Sequence, residues 1–241
     1  MPSRSQRTIV AWIASLALVP APAAASGLQV QPVSVEISER SGVIWLTNTA
    51  AEPLQVQVRV QRWSQHGGKE ELGPAGDFIV SPPITAIAPG GRQLVRLVPA
   101  GAESCEDSYR LSIREIPPAA PRGAGLRYVL HYSVPVFVRR PGCAAIAPAL
   151  DWQLTGDDGT TNLVVTNKGQ MHAQLAGLAF TDRHGVQRQL TPGLLGYVLP
   201  GATRSFATSL PSGAASASGT LEAMVNGSPV SHRLAATPAS R

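Results

Sequence analysis

Hydrophobic and polar residues alternate along most of this chain after residue 27, with the period of two that marks a half-buried β-strand. The clearest run sets Leu54, Val56, Val58 and Val60 against Gln55, Gln57, Arg59 and Gln61, and continues to Trp63. Leu28, Val30, Val33, Val35 and Ile37 form a shorter strand with a slip at Pro32, which suits a bulge or an edge. Further strands are expected at residues 43–46, 78–80, 94–97 and 109–113, separated by turns such as Thr47-Asn48-Thr49 and Ala88-Pro89-Gly90-Gly91. After a loop rich in Pro, Gly and Ala at 117–125 comes the longest expected strand, residues 126–138. Leu126, Tyr128, Leu130, Tyr132, Val134, Val136 and Val138 make one apolar face; Arg127, Val129, His131, Ser133, Pro135 and Phe137 make the other. Its thirteen residues would reach roughly 40 Å, about twice the usual strand.

The second half repeats this style in shorter runs, at 152–154, 163–165, 173–180, 198–199, 205–207 and 220–225. Turn signals fall every 8–12 residues, the spacing of an all-β sandwich. No helical period runs for two turns beyond residue 26. The expected fold is all-β: two antiparallel β-sandwiches over 27–140 and 150–235, joined by a linker at 141–149 and followed by a tail at 236–241, with no sequence repeat between them.

Composition supports packed domains. The chain is 44% hydrophobic and 15% charged, too apolar for a disordered protein, and its 23 Gly and 21 Pro disfavour long helices. Residues 1–26 read as an export signal: Arg4 and Arg7, an apolar run from 9 to 19, then Pro20, Pro22 and Ala23-Ala24-Ala25. That run falls short of the roughly 20 residues needed to span a bilayer, so no stable membrane insertion is expected. Removing the two signal arginines leaves 18 basic residues against 15 acidic, a net of +3. With Arg139-Arg140 as the longest basic run, the chain lacks the dense patch that nucleic acid requires.

In an oxidising compartment the two cysteines, Cys105 and Cys143, are expected to pair. A metal site or a reactive thiol is the alternative, but neither cysteine has a CxxC neighbour or a nearby His. No two of the five histidines have metal-ligand spacing, and the chain has no GxSxG elbow, P-loop or strand-borne GxGxxG. His131 lacks a nucleophile or orienting acid in the sequence around it, and Glu70-Glu71 and Asp157-Asp158 fall in expected turns. No enzyme, cofactor or metal is expected. Trp45, Trp63 and Trp152 flank apolar runs and suit core packing better than sugar stacking.

The long apolar strand admits two readings. It can run through the middle of a large sheet, or it can lie near an open edge and be lent to another protein by strand addition. A set of short motifs bears on the choice. They are Asn48, Pro53, Trp63, Pro82-Pro83, Pro89-Gly90, Gln93-Leu94-Val95-Arg96-Leu97, Tyr109-Arg110-Leu111, Arg114-Glu115-Ile116-Pro117 and Val134-Pro135-Val136-Phe137-Val138. Asn167-Lys168-Gly169 and Gly196-Tyr197-Val198-Leu199-Pro200-Gly201 follow. In this order and spacing, the chain resembles the PapD-type periplasmic chaperones of chaperone–usher pilus assembly, over nearly its whole length. Ser133-Val134-Pro135-Val136-Phe137 is similar to the group serving archaic or spore-coat-like pili.

The resemblance implies two immunoglobulin-like domains in a boomerang arrangement. It implies that pilus subunits lacking a final strand are the partners, that Leu126, Tyr128, Leu130 and Tyr132 are lent to them, and that an outer-membrane usher receives them without any nucleotide. It also implies an interdomain ion pair, which maps to Glu106 and Arg139. The family's cationic anchors for the subunit's terminal carboxylate fall on Ser34 and Pro135, which carry no charge, so Arg96 or Arg127 is expected to take that part. An exported adhesion or structural sandwich pair is the alternative function; it would share the fold but would not need residues 126–132 to bind anything.

Overall fold

The computed structural model describes residues 27–38, 40–117, 129–143, 147–157, 160–211 and 218–234. All regular structure among them is β-strand, arranged as two sandwiches. In the first, β1 (Leu28–Gln31), β3 (Gly42–Asn48), β8 (Arg92–Pro99) and β6 (Phe78–Ser81) make one sheet in the order β1-β3-β8-β6. The facing sheet runs β2-β10-β9-β4-β5, from β2 (Val35–Ile37), β10 (His131–Arg139), β9 (Glu106–Ile116), β4 (Leu54–His66) and β5 (Lys69–Pro74), with β7 (Ile84–Ile87) also on β4. The slip at Pro32 is a change of sheet: β1 pairs with β3, and β2 pairs in parallel with β10.

In the second sandwich, β11 (Leu150–Asp157), β12 (Thr160–Asn167) and β15 (Thr203–Ala207) form one sheet. The other has the order β14-β13-β16-β17, from β14 (Gln187–Val198), β13 (Ala173–Asp182), β16 (Gly219–Val225) and β17 (Ser228–Leu234). Alternation located the inner strands of both halves but not β5, β14 or β17. These are edge strands with largely exposed side chains, so no buried face imposes a period. Glu70 and Glu71 accordingly lie in β5 rather than in a turn.

The described part of the long strand is shorter than expected. β10 begins at His131, and β4, with thirteen residues, is the longest described strand. The partner strand limits it: His131 is level with Arg114 of β9, and three residues on Pro117 has no N–H to give. Leu130 still accepts one backbone bond from Glu115 N, at 3.1 Å.

Both sandwiches are tied at one corner by a wholly buried asparagine. Asn48 Nδ2 donates to the carbonyls of Ile87 (2.9 Å) and Glu52 (2.8 Å), and its Oδ1 accepts from Ala50 N. Asn167 repeats the arrangement, with Nδ2 donating to Val198 O and Met171 O and Oδ1 accepting from Gly169 N. Each backbone carbonyl accepts from the glycine of a Pro-Gly turn, Gly90 or Gly201, and both glycines hold a positive φ that a side chain would oppose. The two sandwiches therefore share this corner arrangement.

The domains also share apolar core. Trp63 of β4 and Phe137 of β10 point away from their own core and are buried among Leu163, Leu175, Tyr197 and Val198 of the second sandwich. Trp63 meets the Tyr197 ring edge-on, with centroids 5.6 Å apart. Beside them Gln65 reaches across like a strand: its Nε2 donates to Tyr197 O (3.0 Å) and its Oε1 accepts from Leu199 N (2.9 Å). Cys105 and Cys143 form a disulfide, with Cα atoms 5.8 Å apart, that joins the start of β9 to the segment leaving β10. Closing a loop of 38 residues contributes about 4 kcal/mol on the chain-entropy model.

Trp63→Ala should cost about 4 kcal/mol, because a large buried ring is lost from a shared core. Calorimetry should show both sandwiches losing stability together; loosening of one alone would contradict the shared core. A second prediction concerns Asp77. Burial pushes its carboxyl up, but hydrogen bonds from the Tyr109 hydroxyl (2.6 Å) and the backbone, with Arg62, outweigh this and hold it below the usual range. A carboxylate depressed in this way stabilises the fold above its ordinary range and loses that contribution as the pH falls. Because Arg62 is 34% exposed, the hydrogen bonds carry most of the effect. Asp77→Asn should lower stability by about 1 kcal/mol near neutral pH, and the two unfolding curves should converge as the pH falls below the ordinary aspartate range.

Candidate functional site

The site suggested by the sequence centres on β10, and a strand's alternation decides what each of its residues can touch. Val134, Val136 and Val138 point inward and are buried in the first core, with Leu130 and Tyr132 packed half-buried against it. Tyr132 closes the end of the sandwich, its hydroxyl donating to Leu28 O at 2.7 Å. Leu126, Arg127 and Tyr128 lie outside the described residues.

The two edges of β10 differ. β9 pairs with it along the whole span His131–Arg139. On the other edge β2 pairs only Val136, Phe137 and Val138, so among the described residues His131 to Pro135 have no strand neighbour there. The outward face of the same half is exposed at His131 and Ser133, with Ser112 and Arg114 beside them on β9 and Arg59 beyond on β4. The second sandwich covers the other end of this face, over Trp63, Gln65 and Phe137. An inner corner between the domains results, with the half-open strand along its floor.

Arginines line that corner. Arg110 is level with Pro135 and lies over the Trp63 ring, its guanidinium 3.7 Å from the ring centroid. Glu70 lies 3.8 Å from Arg110 and 3.6 Å from Arg204 of the second domain, so two cations share one carboxylate. Burial lowers the pKa of Arg110, Glu70 and Tyr197 offset this only in part, and Arg204 adds to it. A further anion at this position would meet unsatisfied positive charge. Alternation alone puts Arg110 and Arg114 on the outward face beside β10, a signal available in the sequence; the approach of Arg204 depends on how the domains pack.

The other expected residues are placed as follows. Arg96 is exposed on β8, in the opposite sheet from β10, between Val43 and Ser81. Glu106 and Arg139 approach to 3.7 Å across the last rung of β9 and β10. Glu106 has a stronger partner in the second domain: its Oε1 accepts from His172 N at 2.6 Å and lies 2.9 Å from His172 Nδ1. His131 Nε2 is 2.8 Å from Ser112 Oγ, both on the open face. Among the described residues no group of His, Cys, Asp or Glu has the arrangement of a metal site.

Residues 27–143 match the family model described as pili and flagellar-assembly chaperone, PapD N-terminal domain. The chain is 26% identical to the chaperone protein PapD of Escherichia coli over 121 residues, which is 48% of each chain, so the match spans about half of that relative. Among solved structures, it is similar to the CsuC–CsuE chaperone–tip adhesion subunit pre-assembly complex of Acinetobacter baumannii archaic Csu pili. That likeness has a TM-score of 0.64 at 24% identity and covers 86% of this chain and 96% of that one. It is similar too to the Salmonella enterica SafA pilin–SafB chaperone complex, with a TM-score of 0.63 at 19% identity, covering 87% of this chain and 97% of that one. The YadV chaperone gives a TM-score of 0.63 at 18% identity, covering 86% of this chain and all of that one. The first sandwich therefore matches the PapD N-terminal domain, and the two immunoglobulin-like sandwiches together share the fold of these solved chaperone structures.

Proposed function

We propose that this protein is a periplasmic chaperone that lends the β10 segment to pilus subunits lacking a final strand and passes them to an outer-membrane usher. The observation that carries the reading is the half-open edge of β10 in a PapD-type domain. An incomplete sandwich exposes backbone donors, acceptors and an apolar slot; a strand with one free edge and alternate apolar residues satisfies all three. The lent residues are Leu126, Tyr128 and Leu130. Tyr132, tied to Leu28, marks the boundary where the strand turns from serving the client to serving its own core. The charged groups at the hinge, Glu106 and Arg139, fix the second domain beside the cleft. Export through residues 1–26 places the protein in the periplasm, and the class of pilus is the archaic or spore-coat-like one.

The carboxylate anchor belongs at the inner corner rather than at Arg96, which lies on the opposite sheet. Arg110 and Arg204, sharing Glu70 among the described residues, are the cations that meet a subunit carboxylate there. Arg127 remains a candidate from the lent segment itself.

Tagged protein can be incubated with periplasmic extract of the source organism and the bound proteins identified by mass spectrometry. Wild type should retain a small exported β-rich protein, and Leu126→Asp plus Leu130→Asp should lose it. If both retain the same proteins, strand donation is wrong. Because Leu130 is half-buried, Leu126→Asp alone serves as the variant that spares the core. Arg110→Gln should lower retention of the same client about tenfold, the effect of losing one charge-assisted contact. Unchanged retention would remove Arg110 from the anchor and leave strand donation standing.

A further inference from the structure

Beside the open edge of β10, the outward face of β10, β9 and β4 carries cations and no carboxylate among its own positions. Three rungs cross it: Gln57, Arg114 and His131; then Arg59, Ser112 and Ser133; then Gln61, Arg110 and Pro135. Glu115, next to Arg114 in the chain, is buried on the opposite side of the sheet. We propose that the client segment seated on the open edge of β10 is an acidic strand, in which apolar residues alternate with Asp or Glu. This inference rests on the strand-donation reading and names the chemistry of its client.

Arg59 and Arg114 are both exposed, and among the described residues neither forms an ion pair. Arg110, by contrast, has Glu70 at 3.8 Å. The face runs directly into the open edge, because His131 and Ser133 are its outermost residues and β2 does not reach them. Side chains of a strand added there would alternate as those of β10 do. Half would lie on the inward side with Tyr132 and Val134, where the surroundings are apolar. The other half would stand beside His131 and Ser133, on the side of the arginines.

Distances on a sheet set which cations matter. Strands lie about 4.8 Å apart, so the backbone of β9 is roughly 10 Å from the added strand, a gap that Arg114 and a client Glu can close from opposite sides. Ser112 and Ser133 are short, so no tall side chain on that rung stands between Arg59 and the newcomer. Opposite charges on nearby strands favour pairing and like charges oppose it. The same positive face speeds the approach of an acidic segment and disfavours a basic one. Backbone hydrogen bonds along an edge are blind to sequence, so these side chains supply discrimination that the edge alone lacks. A second copy of β10 does not meet the requirement, since its outward residues here are His131, Ser133 and Pro135.

Two capped octapeptides serve as probes, one alternating Val with Glu and the other Val with Lys, each titrated into the protein and followed by backbone-amide NMR. The acidic peptide should shift the amides of His131, Ser133 and Ser112, and bind about tenfold more tightly than the basic one at about 0.05 M salt. The difference should shrink at about 0.5 M salt. Arg59→Glu with Arg114→Glu should reverse the preference. Arg188→Glu with Arg233→Glu, the same change of charge at exposed positions of the second sandwich, should leave it intact. If the first pair of substitutions prevents folding, Arg59→Gln alone takes its place and should narrow the preference. Equal binding of the two peptides by wild type, or a preference that survives the change at Arg59 and Arg114, overturns the acidic client while strand donation stands. If neither peptide shifts these amides, strand donation at this edge fails and the inference falls with it.

Discussion

A strand has only two faces and two edges, and β10 uses each of them for a different neighbour. Its inward residues Val134, Val136 and Val138 hold the first core, while Phe137, pointing outward, is buried in the second. One edge is committed to β9 throughout; the other is committed to β2 only over its last residues. Because side chains alternate strictly, a register slip of one residue would move every valine out of the core and Phe137 out of the interface at once. This fixes the strand firmly at its C-terminal half and leaves the preceding half held from one side. The strand is thus anchored at one end and open along one edge at the other.

The domain junction follows from the same constraint. Phe137 can enter the second sandwich only because Trp63 and Gln65, two strands away on β4, present a matching outward surface. Once the second domain covers that end of the sheet, the rest of the face becomes the inner corner, and the arginines already on it are brought near Arg204. Glu70, on an edge strand, then stands between cations of both domains. Such pairs contribute little when exposed. Here the two guanidiniums are largely shielded while Glu70 stays exposed, so the corner holds two cations against one carboxylate.

Much of this was legible in the amino-acid sequence. Alternation is a local property with a fixed period, so it identified the inner strands, the inward residues of β4, β9 and β10, and the all-β class without any knowledge of contacts. The pairing of Cys105 with Cys143 followed from there being two cysteines in a chain whose first residues read as an export signal. Edge strands such as β14 escaped, since a strand with no buried face has no period to read. Partnerships between outward-facing residues escaped too. Glu70, Arg110, Gln65 and His172 look like ordinary surface positions along the chain, and only the packing of one sandwich on the other buries them or brings them together. The sequence by itself determined which residues face a core. Tertiary structure decided which outward residues meet, and which edge stays open, because those contacts join positions as far apart as Gln65 and Leu199, where no local period carries information.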